Sequence, residues 1–173
     1  VTTNLDDATT DSAPPPPPGP CVLVILGATG DLTKRKLVPA LYNLLNGGLL
    51  PKEFAVIGLG STAIASDAFR ERIGAEMQTF ATDTVQPERW NWLSERIYYL
   101  SGDFRSADLY AQLSKLLEQV NQRYGTHGNY LFYLATNPSL FCQVIQQLGA
   151  AGLTEQKNGQ WRRVVVEKPF GHD

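Results

Sequence analysis

Gly27 and Gly30 are the first residues whose type and spacing could do chemistry. They close an unbroken apolar run, Val22 to Leu26, and stand just before a helix-like pattern that starts near Leu32. Glycine lets the chain turn tightly and lets a ligand come close to the backbone. The first N–H groups of a helix have no partner inside it and favour a phosphate. Strand, glycine turn and helix together predict a seat for the pyrophosphate of a dinucleotide. The spacing is G-x-x-G followed by Thr33 rather than the common G-x-G-x-x-G, so the same glycines could also serve a plain tight turn.

Further along, three cations follow in sequence, Lys34, Arg35 and Lys36. Adjacent helical residues point to different faces, so at least one of them is plain surface. Lys168 comes just after the last apolar run, Val164 to Val166. A lysine at a strand's carboxyl end can hold a sugar phosphate or hydroxyl as a charged donor, or can simply be solvated. His127 lies in a Gly-Thr-His-Gly turn and reads as exposed; His172 stands beside Asp173. No G-x-x-x-x-G-K-[ST] run exists, which excludes a phosphate-loop NTPase. Two distant histidines and two distant cysteines make no metal-ligand set.

These residues need elements to position them. An apolar run reads as a strand buried on both faces, as in a parallel sheet. Strands are expected at Val22–Leu26, Phe54–Ile57 (closed by Gly58), Ile97–Leu100, Tyr130–Ala135 and Val164–Val166. Between them lie helical stripes. Leu37, Leu41, Leu44 and Leu45 form the first, with Pro39 either kinking it or falling in its first turn. Phe69, Ile73, Met77 and Phe80 form the second, capped by Ser66 or Asp67. A short helix carries Trp90 and Trp92. Leu109, Leu113, Leu116, Leu117 and Val120 form the next, and Phe141, Val144, Ile145 and Leu148 the last, ending by Gly149 or Gly152. Alternation of strand and helix predicts an α/β fold: a Rossmann-type, doubly wound parallel sheet in a single domain, binding ligands at the carboxyl ends of its strands.

Composition narrows the class. The chain has 173 residues and a formal net charge of −2. Asp6, Asp7 and Asp11 lie in the first twenty residues, which hold no Lys or Arg, so the body is nearly neutral. Neither nucleic acid nor an acidic membrane surface is an expected partner. No apolar stretch approaches the ~18 residues of a membrane span, and no basic leader precedes an apolar segment. Cys21 and Cys142 read as buried free thiols, and the protein as cytoplasmic. Residues 1–20, with Pro14 to Pro18, read as a disordered tail; a proline-recognition ligand is the other reading. The coenzyme-binding domain is expected over 21–173.

Three segments together resemble one family. They are GATGDLTKRKLVPALYNL (27–44), YLFYLATNPSLF (130–141) and VVVEKPFGHD (164–173). They look like the N-terminal coenzyme domain of the glucose-6-phosphate dehydrogenase family. The resemblance implies oxidation of glucose 6-phosphate at C1 to the lactone, with hydride passing to NADP or NAD. It implies that Gly27, Ala28, Thr29, Gly30, Asp31, Leu32, Thr33 and Lys34 wrap the cofactor pyrophosphate. It places Asp103 and Phe104 near the adenosine, Lys168 against both cofactor and sugar, and Lys36 near the reacting groups.

Three departures from the family pattern carry consequences. The turn after the second strand, Gly58-Leu59-Gly60-Ser61-Thr62, lacks the family's arginine for the 2′-phosphate of NADP. A hydrogen bond to a charged group contributes about 1.5–3 kcal/mol, so its loss predicts NADP preference weaker by roughly tenfold to a hundredfold. Ser61 and Thr62 can still bond the ribose or a phosphate, and Lys34 or Arg35 could compensate; dual or NAD use follows. Asn137 stands where the family often has a second proline beside Pro138, which predicts a looser loop. Oxidising an alcohol needs a base for the hydroxyl proton. The family's His–Asp base lies in an R-I-D-H-Y-L-G-K-E run that these residues do not contain, and His172-Asp173 is only a superficial match. The substrate and dimerisation domain is likewise missing. These residues alone are therefore expected to be inactive, with a homo-oligomer only where that domain is present. A stand-alone dinucleotide-binding or regulatory module is the alternative.

Overall fold

The computed structural model describes residues 18–81 and 84–167. Five strands form one sheet: β1 (Cys21–Leu26), β2 (Phe54–Gly60), β3 (Ile97–Ser101), β4 (Tyr130–Leu134) and β5 (Arg162–Val166). Their order is β3-β2-β1-β4-β5. Every neighbouring pair is parallel. All positions of β1 and β2 are buried, which explains their unbroken apolar sequences. Side chains alternate between faces, so β1 feeds two cores. Val22, Val24 and Leu26 pack with α4 (Ala107–Tyr124) and α5 (Phe141–Ala150). Cys21, Leu23 and Ile25 pack with α1 (Val38–Asn46), α2 (Ser66–Phe80) and α3 (Pro87–Ser94). This is the expected doubly wound, Rossmann-like sheet. Strand order reverses between β1 and β4, and such reversals open a crevice at the carboxyl ends of strands.

The segment after β1 is helical but not uniformly so. Thr33–Leu37 form a π-helical turn that leads into α1, and the Val38 N–H donates to the Thr33 carbonyl. Pro39 then falls in the first turn of α1. Proline has no N–H to give, and the wider turn before it lets the helix continue. Gly47 and Gly48 end α1, with Gly48 left-handed at φ +67°.

Several sequence expectations need correction. β2 does not close at Gly58 but runs through Gly60, because both glycines are strand residues against which side chains pack, Ala28 on Gly58 and Tyr99 and Thr29 on Gly60. Neither Ser66 nor Asp67 caps α2; Ala65 holds that position without a side-chain bond. The Ser66 hydroxyl instead accepts from the Tyr99 N–H at 2.9 Å and donates to the Tyr99 carbonyl at 3.2 Å. Leu44 and Ile145, expected on buried stripes, are 41% and 44% exposed. Cys21 is buried but Cys142 is exposed; both are free thiols. At Asn137 the side chain accepts from the Ser139 N–H at 3.0 Å and starts a short 3-10 turn, Pro138–Leu140. Residues 1–17 of the expected tail, and Lys168 through Asp173, lie outside the described residues.

Candidate functional site

The glycine turn is built by contacts that leave no room for side chains. Gly27 has φ +100°, and a Cβ there would lie 2.6 Å from the Ala135 carbonyl oxygen at the end of β4. The N–H groups of Gly27 and Ala28 both donate to the Leu59 carbonyl, at 2.9 and 2.8 Å, which staples the turn to β2. Gly30 N–H closes it on Gly27 O at 3.0 Å, and the buried Thr33 hydroxyl donates to the same oxygen at 3.4 Å. Ala28 is buried, and its methyl fills the space left by Gly58, where a Cβ would come within 2.6 Å. Thr29 sits over Gly60. The N–H groups of Thr29, Asp31 and Leu32 have no backbone acceptor among the described residues. Three unpartnered donors at the start of a helix suit an anion.

Beside this turn, past the carboxyl ends of β2 and β3, lies a crevice of about 540 Å³. Ser61, Asp103, Phe104 and Arg105 line it, and Leu140 reaches it from the loop after β4. The structure thus brings together three of the expected residues, Ser61, Asp103 and Phe104. The loop that carries two of them is held on several sides. Gly102 N–H donates to Gly60 O at 2.9 Å, and Arg105 N–H donates to Asp103 Oδ1 at 2.9 Å. The buried Tyr110 hydroxyl donates to Phe104 O at 2.9 Å. Burial, and then the Asp103 carboxylate, push that hydroxyl up to about 12, so it remains a neutral donor. The facing turn is held by Tyr99, stacked on Phe69 with ring centroids 4.5 Å apart, whose hydroxyl donates to Thr62 O at 2.9 Å.

The cations after the turn diverge. Lys34 Nζ lies 3.1 Å from Glu76 of α2, and the Arg35 guanidinium lies 5.2 Å from the Phe80 ring centre. Lys36 is exposed. Lys34 and Arg35 therefore contact α2 rather than the turn after β2. Lys168 lies outside the described residues. Its neighbour Glu167 accepts a hydrogen bond from Tyr133 of β4. His127 is exposed in the loop before β4, at the amino ends of the strands and so opposite the crevice. Sequence reasoning missed Arg105, Tyr99 and Tyr110. The signal for Arg105 was its place directly after Asp103-Phe104; the two tyrosines gave none, because each donates to a backbone carbonyl, Tyr99 to distant Thr62 and Tyr110 to nearby Phe104, that no side-chain pattern marks.

A family model described as "Glucose-6-phosphate dehydrogenase, NAD binding domain" matches residues 24–173. The chain belongs to the glucose-6-phosphate dehydrogenase family. It is similar to the glucose-6-phosphate 1-dehydrogenase of Chlamydia muridarum, 42% identical over 158 residues, covering 89% of this chain and 31% of that protein. It is 39% identical over 155 residues to glucose-6-phosphate 1-dehydrogenase 2 of Mycobacterium tuberculosis, covering 90% and 30%. The crystal structure of the Mycobacterium avium enzyme superposes with a TM-score of 0.75 at 33% identity, over 89% of this chain and 31% of that one. A glucose-6-phosphate dehydrogenase in complex with glucose 6-phosphate gives 0.77 at 29%, over 93% and 33%. The chain thus spans about a third of the relatives it matches, and it is the NAD(P)-binding domain of the glucose-6-phosphate dehydrogenase family. Among the described residues no helix is long and apolar enough to cross a membrane.

Proposed function

We propose that this chain is the coenzyme-binding part of an enzyme that oxidises glucose 6-phosphate at C1 to 6-phosphogluconolactone and passes the hydride to NADP or NAD. The carrying observation is the glycine turn with its three unpartnered N–H groups, set beside a crevice lined by Ser61, Asp103 and Phe104. In this reading the N–H groups of Thr29, Asp31 and Leu32 bind the pyrophosphate, and Gly27, Ala28, Gly30, Thr33 and Lys34 shape that segment. Asp103 and Phe104 flank the adenosine, and Ser61 the ribose. Lys168 bridges coenzyme and sugar phosphate, and Lys36 lies toward the reacting groups. The coenzyme supplies the hydride acceptor when bound. Among the described residues no base pair for the hydroxyl proton is present, and His127 lies at the amino ends of the strands; His172 and Asp173 lie outside the described residues. The domain over 21–173 binds coenzyme and does not turn over alone; substrate closure and homo-oligomer formation belong to the longer protein. Free thiols fit a reducing, cytoplasmic setting.

Titration with NADP and with NAD, alongside a glucose-6-phosphate turnover assay, tests this. Calorimetry is the suitable readout, since none of Trp90, Trp92 and Trp161 lines the crevice. Binding without turnover is expected, with NADP preferred over NAD by less than about a thousandfold. No binding would contradict the coenzyme role, and turnover would contradict the missing base.

A further inference from the structure

The crevice contains a charge that the turn after β2 does not supply. We infer that Arg105, in the loop after β3, is the residue that reads the adenosine 2′-phosphate and so distinguishes NADP from NAD. The inference rests on the coenzyme reading above.

Rossmann domains place that reader just after β2, where this chain has Ser61 and Thr62 and no cation. The neighbouring basic residues are committed elsewhere. Lys34 and Arg72 both reach Glu76 Oε1, at 3.1 and 3.5 Å. Arg35 lies over Phe80. Arg70 Nε donates to Ile97 O at 2.7 Å, and its Nη1 pairs with Asp67. None of these lines the crevice.

Arg105 does, together with Ser61. Its backbone is pinned twice: its N–H by Asp103 Oδ1, and its carbonyl by Gln147 Nε2 at 3.0 Å. Its Nε donates to Gln143 Oε1 at 3.3 Å. Both terminal nitrogens, Nη1 and Nη2, have no partner among the described residues. A guanidinium anchored through Nε presents those two nitrogens as a fork, the geometry that suits a phosphate. Asp103 shares the crevice but is an acceptor, suited to an amino group or a ribose hydroxyl and not to a second anion. The 2′-phosphate would then lie between Ser61 as neutral donor and Arg105 as cation.

Calorimetric titration of NADP and NAD into the unsubstituted chain, Arg105→Gln and Arg105→Lys tests this. Arg105→Gln should weaken NADP by about tenfold to a hundredfold and leave NAD within about twofold, while Arg105→Lys keeps part of the preference. Adding Ser61→Arg to Arg105→Gln should restore NADP affinity. Arg89→Gln, on the far helix α3, is the charge control and should change neither. On the unsubstituted chain, adenosine 2′,5′-bisphosphate should bind more tightly than adenosine 5′-monophosphate, a comparison that needs no variant to fold. An unchanged NADP/NAD ratio in Arg105→Gln, or equal binding of the two adenosine nucleotides, overturns the role of Arg105 alone. Failure of the unsubstituted chain to bind either coenzyme overturns the coenzyme reading as well.

Discussion

Ala28 and Gly58 meet face to face, and that contact ties the glycine turn to the core. Gly58→Ala would place a Cβ 2.6 Å from the Ala28 methyl between two buried segments. Overpacking of this kind costs about 1–3 kcal/mol, read as a lower urea midpoint, and it should weaken coenzyme affinity by shifting the turn. Gly27→Ala combines a positive φ with a Cβ 2.6 Å from a carbonyl oxygen, and about 1–3 kcal/mol of strain follows. Several groups raised by burial shape the alkaline limit, Cys21 and Tyr110 among them, along with Tyr124 and Tyr133. Burial raises the Cys21 thiol from 9.0 to about 11 and the Tyr110 hydroxyl from 10.0 to about 12. Each holds its proton more tightly folded than unfolded, so its contribution is full below its ordinary pKa and is lost as pH rises toward the folded value. Urea midpoints should therefore fall between pH 9 and pH 12, and Tyr110→Phe should flatten the upper part of that fall. A flat profile in the unsubstituted protein would contradict this.

The free edge of β3 is sealed by α2. Ser66 bonds both outward groups of Tyr99, and Arg70 Nε takes the Ile97 carbonyl. An unpaired strand edge invites association with another chain, and these two residues remove most of it. Ser66→Ala should cost about 1–3 kcal/mol by denaturant unfolding, since it leaves the Tyr99 N–H and carbonyl without partners. An unchanged midpoint would show that solvent replaces the hydroxyl. β5 was legible from its apolar run although Val164 and Val165 are 41% and 37% exposed, and β1 and β2 were legible because a strand buried on both faces must be apolar throughout. So were the stripes Phe69-Ile73-Met77 and Leu109-Leu113-Leu117, whose spacing matches the helical period. Gly58 and Gly60 were misread as a turn because the reason for them is Ala28 and Thr29, about thirty residues away. Ser66 was misread for a similar reason: a local rule gave it a helix cap, and a distant strand claimed its hydroxyl. In the site, Gly27 and Gly30 were legible from turn chemistry, and Asp103 only from the family resemblance. The capture of Lys34 by Glu76 and the place of Arg105 in the crevice depend on how α2 and α5 pack, which no local pattern encodes.

At the scale of the molecule, the parallel sheet sends every strand's carboxyl end to one side, and the glycine turn and the crevice share it. His127 lies on the opposite side. In the proposed function that division puts the coenzyme at one end of the sheet and His127 at the other; the relatives the chain matches are about three times as long. The most direct measurement is a ¹⁵N–¹H correlation spectrum of the chain recorded through a titration with NADP. The amides of Thr29, Asp31 and Leu32 should shift together with those of Gly102 to Arg105, following one saturation curve. Shifts confined to the amino ends of the strands around His127, or none at saturating coenzyme, would contradict the site.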